Sequence, residues 1–167
     1  RDDQIKVGKG EPSYDLIVTV DTGDRHQLGK LDSEKADIFE KVTVLNIDHH
    51  SSNSKFGDIN YVDPTCASTT EVLYPILEEL QGQEDMIDAD IATLLLAGLI
   101  ADTGSFVHSN TTPSAFKLAS LLLAKGARQQ EIIKNFFKTK SLEQLKLWGC
   151  TLSKLQFDSM YKVAWSS

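Results

Sequence analysis

Cysteine is scarce in this sequence. Among 167 residues there are two, Cys66 and Cys150, far apart and in no CxxC or CxxH spacing. A disulfide framework and a zinc knuckle are thereby excluded, and free, buried thiols of a reducing compartment are expected. Long apolar runs are missing as well. The longest, 91–101, contains Thr93 and Gly98 and is about half the ~20 residues that cross a bilayer, so it reads as a core helix and no membrane span is expected. The start, Arg1-Asp2-Asp3-Gln4, is polar and leads into no apolar stretch, so no signal peptide is expected. Positive charge is also short: 17 Lys and Arg stand against 24 Asp and Glu, a net charge of -7. A broad nucleic-acid surface does not fit that balance, and any phosphate ligand must be neutralised locally, by a basic patch or a metal. Finally, no GxSxG, Walker A, GxGxxG or HExxH pattern occurs, which removes the commonest serine-hydrolase, nucleotide-loop and zinc-protease readings.

What is present suits one globular domain with a sizeable core, since 41% of the residues are hydrophobic. Residues 1–13 read as a loose lead-in. The β-branched run 16–20 reads as a strand that ends at Asp21-Thr22-Gly23-Asp24, and the alternating run 42–47 as a second strand that ends at Asp48-His49-His50. Between them, 25–41 carries Leu28, Leu31, Ala36, Ile38 and Phe39 at helical spacing. Strand, helix, strand implies parallel pairing with a right-handed crossover. The stretch 51–65 reads as a loop and 67–80 as a helix that Pro75 should bend or divide, while 82–85 reads as a connector. Then follows the all-round apolar helix 91–101, expected to pack under the sheet. Thr112 and Pro113 open a helix that stops at Gly126, helices follow at 129–137 and 142–155, the latter capped by Ser141, and 160–165 is strand-like. The fold class expected is α/β, a mostly parallel sheet flanked by helices.

Three polar clusters stand where buried apolar elements run out: Asp21, Asp48-His49-His50 and Asp102. In a parallel sheet the crevice outside the carboxyl ends of the strands is where ligands bind, so these ends can converge on one pocket. Two carboxylates and one or two imidazoles give a mixed oxygen and nitrogen set suited to Mn, Zn or Fe. A divalent metal lowers the pKa of water from about 15.7 towards 7, which provides hydroxide for attack on phosphorus at neutral pH. Ser68, with Thr69 beside it, and His108 are further candidates for substrate contact, with helix capping and turn formation as equally good accounts.

Taken together, Val20-Asp21-Thr22-Gly23-Asp24, Asp48-His49-His50 and Ala101-Asp102-Thr103-Gly104-Ser105-Phe106 resemble the DHH superfamily of phosphoesterases. Within it the nearest likeness is to the bacterial oligoribonuclease (nanoRNase) branch related to RecJ exonucleases, from about Asp15 onward. The resemblance implies a three-layer DHH phosphoesterase domain and a binuclear Mn2+ site, with Mg2+ or Co2+ as substitutes. Asp21 would bridge the metals, and His49 and Asp102 would bind one of them. His50 would contact the scissile phosphate, and Asp48 would orient the imidazoles. The family's upstream His-x-x-x-Asp-x-Asp motif has no counterpart before Asp21, and its glycine-rich C-terminal substrate-binding domain has none either. Residues 1–167 are therefore expected to be a single, partial domain whose end, 158–167, starts the linker to that C-terminal domain. By itself such a piece would bind one metal weakly or none, with little or no activity.

The expected function is cytoplasmic hydrolysis of phosphodiester or phosphomonoester bonds in short oligonucleotides or small nucleotides. Rivals are a single-strand DNA exonuclease, a cyclic-dinucleotide phosphodiesterase, an exopolyphosphatase and a family II-like pyrophosphatase. A degenerate module that binds nucleotide or partner without catalysis is the rival outside the enzymes. The oligomeric state stays open, a homodimer included.

Overall fold

The computed structural model describes residues 14–81, 86–138 and 140–166. The expected lead-in at 1–13 and connector at 82–85 lie outside the described residues. The chain divides into two compact units, one up to Ala127 and one from Arg128 on.

The first unit is built on three strands, β1 (Ile17–Val20), β2 (Val44–Asp48) and β3 (Ile59–Val62), all parallel and in the order β1-β2-β3. Val20 sits opposite Ile47, and Asp48 opposite Val62, so the carboxyl ends of the strands lie side by side. β2 is the middle strand and accordingly the most buried, with Val44, Asn46, Ile47 and Asp48 all inside.

Strand β3 falls within the stretch expected to be loop. Its four residues, Ile59-Asn60-Tyr61-Val62, are too few and too mixed to show alternation. Long-range contacts hold it in place. Asp58 accepts the Val44 amide at 2.8 Å, and a Cβ on Gly57 would lie 3.0 Å from the Val44 carbonyl, so only glycine lets the chain come this close beside β2.

The crossover from β1 to β2 is helical but broken. It consists of a 3-10 turn at Arg25–Leu28, then α1 (Lys30–Glu34) and α2 (Ala36–Lys41). Gly29, at φ 58, takes a left-handed step that a continuous helix cannot contain, and a reciprocal Asp24 and Gln27 capping box closes the preceding turn.

Three longer helices follow, α3 (Thr69–Gln81), α4 (Ala89–Asp102) and α5 (Pro113–Ala124). Pro75 lies inside α3 and does not end it. The helix packed on β2 is α3, whereas α4, expected directly under the sheet, lies chiefly against α3 and α5. Its apolar flanks explain this, because Ala92, Leu95, Leu96, Leu99 and Ile100 are buried between two helices and only a narrow side, with Leu94, meets solvent. At the α3 and α4 contact a Cβ on Gly98 would come within 2.4 Å of the Thr70 methyl, so the glycine sets how closely the helices approach. Thr112 caps α5 as expected, accepting the Ala115 amide at 3.1 Å. The expected α/β class, a parallel sheet flanked by helices, is the one observed.

The second unit contains α6 (Gln129–Ile133), a π-helical turn at Lys134–Lys138 and α7 (Leu142–Ser153). Ser141 and Gln144 form the capping box of α7. A short antiparallel hairpin closes the unit, β4 (Gln156–Asp158) with β5 (Val163–Trp165), so the terminal strand is shorter than expected and has a local partner. No helix among the described residues is long and apolar enough to cross a membrane.

Candidate metal centre

Asp21 directly follows strand β1, and its amide still donates to the Ile47 carbonyl at 3.0 Å while its backbone turns to φ 56. For a residue with a Cβ this left-handed conformation costs on the order of 1 kcal/mol or more. It follows directly on the sheet and turns the chain away there, leaving a half-exposed carboxylate at the strand end.

The next strand ends in the same place with a second carboxylate, this one fully buried. Asp48 accepts the His49 amide at 2.7 Å, the His50 Nδ1 at 2.7 Å and the Asn53 amide group at 2.6 Å. Burial alone would push its carboxyl up, but the hydrogen bonds from Asn53, His50 and the His49 backbone outweigh that and hold it below its ordinary value. The partner responds in kind. The bond to Asp48 raises His50 above its ordinary value against partial burial, with further help from the charges of Asp48, Asp21 and Asp102. With Nδ1 committed to Asp48, the Nε2 of His50 is the atom left for a ligand.

His49 points its Nδ1 at the Cys66 carbonyl, 3.3 Å away. Facing an acceptor, Nδ1 carries the proton of the neutral ring, so Nε2 presents a lone pair. That atom lies 3.7 Å from Asp21 Oδ1 and 3.7 Å from Asp102 Oδ2. Asp102 is the last residue of α4. Burial and the neighbouring Asp21 carboxylate raise its carboxyl above the ordinary range, opposed by His49 and His50. His49 Nε2 thus faces one oxygen of each of two carboxylates, a donor set that suits a divalent cation.

The distances agree with that reading. Asp21, His49 and His50 each offer a ligand atom, all within 4.8 Å of one another. Donors held about 2.0–2.2 Å from one ion lie about 3–3.5 Å apart, so the observed 3.7 Å separations need only a small contraction. Asp102 reaches the cluster through His49, and His50 Nδ1 lies 3.9 Å from Asp21 Oδ1. Nearby, burial pushes the Cys66 thiol up to about 12, with the charges of Asp63 and Glu71 adding to the effect, so it is neutral and not a nucleophile.

Of the further candidates, Ser68 is buried, shares a 2.7 Å hydrogen bond with Thr70 and accepts the Glu71 amide at 3.3 Å. His108 lies over Gly104 and places Nδ1 3.1 Å from the Asp102 carbonyl, which also accepts from Asn110. Asn53, which holds both Asp48 and the Thr22 carbonyl, escaped the sequence reading, and Thr69, expected as a cap or a phosphate contact, instead donates its hydroxyl to Asp21. The only prior signal for Asn53 was its place in the polar run after His50.

A parallel α/β unit that gathers two aspartates and two histidines beyond its strand ends is the framework of a protein suited to a divalent cation. Residues 2–99 match the family described as DHH family, N-terminal domain, and the chain belongs to that family. It is 37% identical over 115 residues, 68% of its length, to the bifunctional oligoribonuclease and PAP phosphatase NrnA of Thermus thermophilus, covering 34% of that protein. To the Bacillus subtilis protein of the same name it is 29% identical over 136 residues, covering 80% of this chain and 41% of the relative. The crystal structure of an exopolyphosphatase-related protein from Bacteroides fragilis superposes with a TM-score of 0.79 at 25% identity, over 90% of this chain and 43% of that one. The chain thus spans a third to two fifths of the length of the relatives it matches.

Proposed function

We propose that this chain supplies part of the metal centre of a manganese-dependent phosphoesterase that hydrolyses short oligonucleotides or small nucleotides in the cytoplasm. The observation that carries the reading is the convergence of Asp21, His49 and His50 within 4.8 Å, with Asp102 3.7 Å from His49. Asp21 would bridge two ions, and His49 and Asp102 would hold one of them. The bound ions would supply a nucleophilic hydroxide and counter-charge for the phosphate. The protein's own part is positional. Asp48 fixes the His50 ring, and the resulting tendency of His50 to carry a proton suits it to donate from Nε2 to a phosphate oxygen. His108 is a further candidate at the substrate side, whereas the fully buried Ser68, engaged by Thr70 and the Glu71 amide, is a capping residue.

In this reading residues 1–167 belong to one DHH domain, and 158–167 lead towards a substrate-binding domain supplied in cis. The names of the NrnA relatives favour oligoribonucleotides and PAP as substrates. The test uses the protein as its whole gene encodes it, assayed with Mn2+ on a di-adenylate, PAP, cyclic di-AMP and pyrophosphate side by side. Preferred turnover of the di-adenylate and PAP supports the proposal. Equal rates on all four would remove the choice of substrate class, and metal binding without turnover would make this a binding module.

A further inference from the structure

Thr69 opens α3, where a threonine ordinarily caps its own helix. Here that work is done by others. Ser68 accepts the Glu71 amide at 3.3 Å, and the Glu71 carboxylate accepts the Ala67 amide at 2.8 Å. The Thr69 hydroxyl is turned instead to Asp21, 48 residues away in sequence, and donates to its Oδ1 at 2.7 Å. This is the one hydrogen bond that the Asp21 carboxylate accepts among the described residues. It is sheltered, because Thr69 is only 6% exposed. The same Oδ1 is the atom 3.7 Å from His49 Nε2 and 3.9 Å from His50 Nδ1.

The donor is itself held firmly. Its neighbour Thr70 packs against Gly98 of α4, so the start of α3 is tied to the helix that ends in Asp102. Thr69 therefore connects the two carboxylates through the helix frame. We propose that Thr69 is a positioning residue, whose hydroxyl fixes the Asp21 carboxylate in the orientation that the metal centre uses; this rests on the metal reading of the site. Partners of this kind that orient a ligand are worth roughly 10–100-fold in metal affinity.

The test measures Mn2+ binding by the loss of the free-ion electron paramagnetic resonance signal, on the gene-encoded protein and its variants T69V, T69A, T69S, D21N and D21N/T69V. T69V removes the hydroxyl at constant volume, and T69A removes it without adding a methyl, so a misfolded T69V does not decide the outcome. The expected result is at least a tenfold weaker affinity in T69V or T69A, near-normal affinity in T69S, and no further loss when T69V is added to D21N. A purely structural threonine would not be rescued by serine in this way and would add its effect to that of D21N. Normal affinity in T69V and T69A, with the parent protein binding Mn2+, overturns the role of Thr69 alone. A parent protein that binds no Mn2+ overturns the metal reading and this inference with it.

Discussion

His50 Nδ1 lies 2.7 Å from Asp48 Oδ1, the same buried oxygen that accepts the His49 amide, so one carboxylate both ends the β2 strand and turns the second imidazole. Replacing Asp48 by Asn keeps the shape but removes the charge. In D48N the His50 titration should move down towards its ordinary value, and, under the proposed function, turnover by the gene-encoded protein should fall roughly 10–100-fold, as for other lost orienting partners. Proton NMR of His50 and steady-state kinetics check the two halves separately. An unchanged His50 titration would show that the pair does not form.

The same pair gives the metal-free protein a pH window. His50 is raised, so its contribution to stability is complete below 6.5 and is lost as pH rises through the folded value. Asp48 is lowered, so its contribution is complete above 3.8 and is lost as pH falls through the folded value. Stability should therefore be greatest between these limits. H50Q should flatten the alkaline decline, and urea unfolding midpoints of the metal-free protein across pH, with and without the substitution, measure it.

Asp102 works in the opposite direction. Its carboxyl is raised by burial and by Asp21, so at neutral pH the ionised group opposes folding of the metal-free protein. D102N should make the metal-free protein more stable and make it gain less from added Mn2+. A parent protein saturated at about 100 times its dissociation constant gains about 2.7 kcal/mol, which thermal unfolding resolves. Chelation should reverse the gain in the parent and change D102N less.

The turn after α4 depends on Gly104, at φ 55, where a Cβ would lie 2.3 Å from His108 Nε2. G104A combines a left-handed alanine, which costs about 1–2 kcal/mol, with displacement of the imidazole. A lower melting temperature is expected, and adding H108A should recover only the steric part. Calorimetry on the two variants separates the contributions.

Strands β1 and β2 and the polar residues beyond their ends were legible because apolar, β-branched runs stop abruptly at charged residues. The caps of α5 and α7 were legible because Thr112-Pro113 and Ser141 act within one helical turn. What escaped notice depends on partners distant in sequence. β3 exists because Asp58 and Gly57 hold it to β2, and nothing in four residues alone announces that. Thr69 reads as a cap until its hydroxyl is seen on Asp21, and Asn53 as one more polar loop residue until its amide is seen on Asp48. The crossover reads as one helix because its apolar spacing persists across Gly29, where the backbone does not follow.

Asp21 occupies a backbone region that glycine enters with less strain. Heat resistance and chemistry therefore pull this position in different directions. A library of variants screened only for survival at high temperature would drift from aspartate towards glycine, and under the proposed function the survivors would be robust proteins with an empty hand where the cation should be grasped.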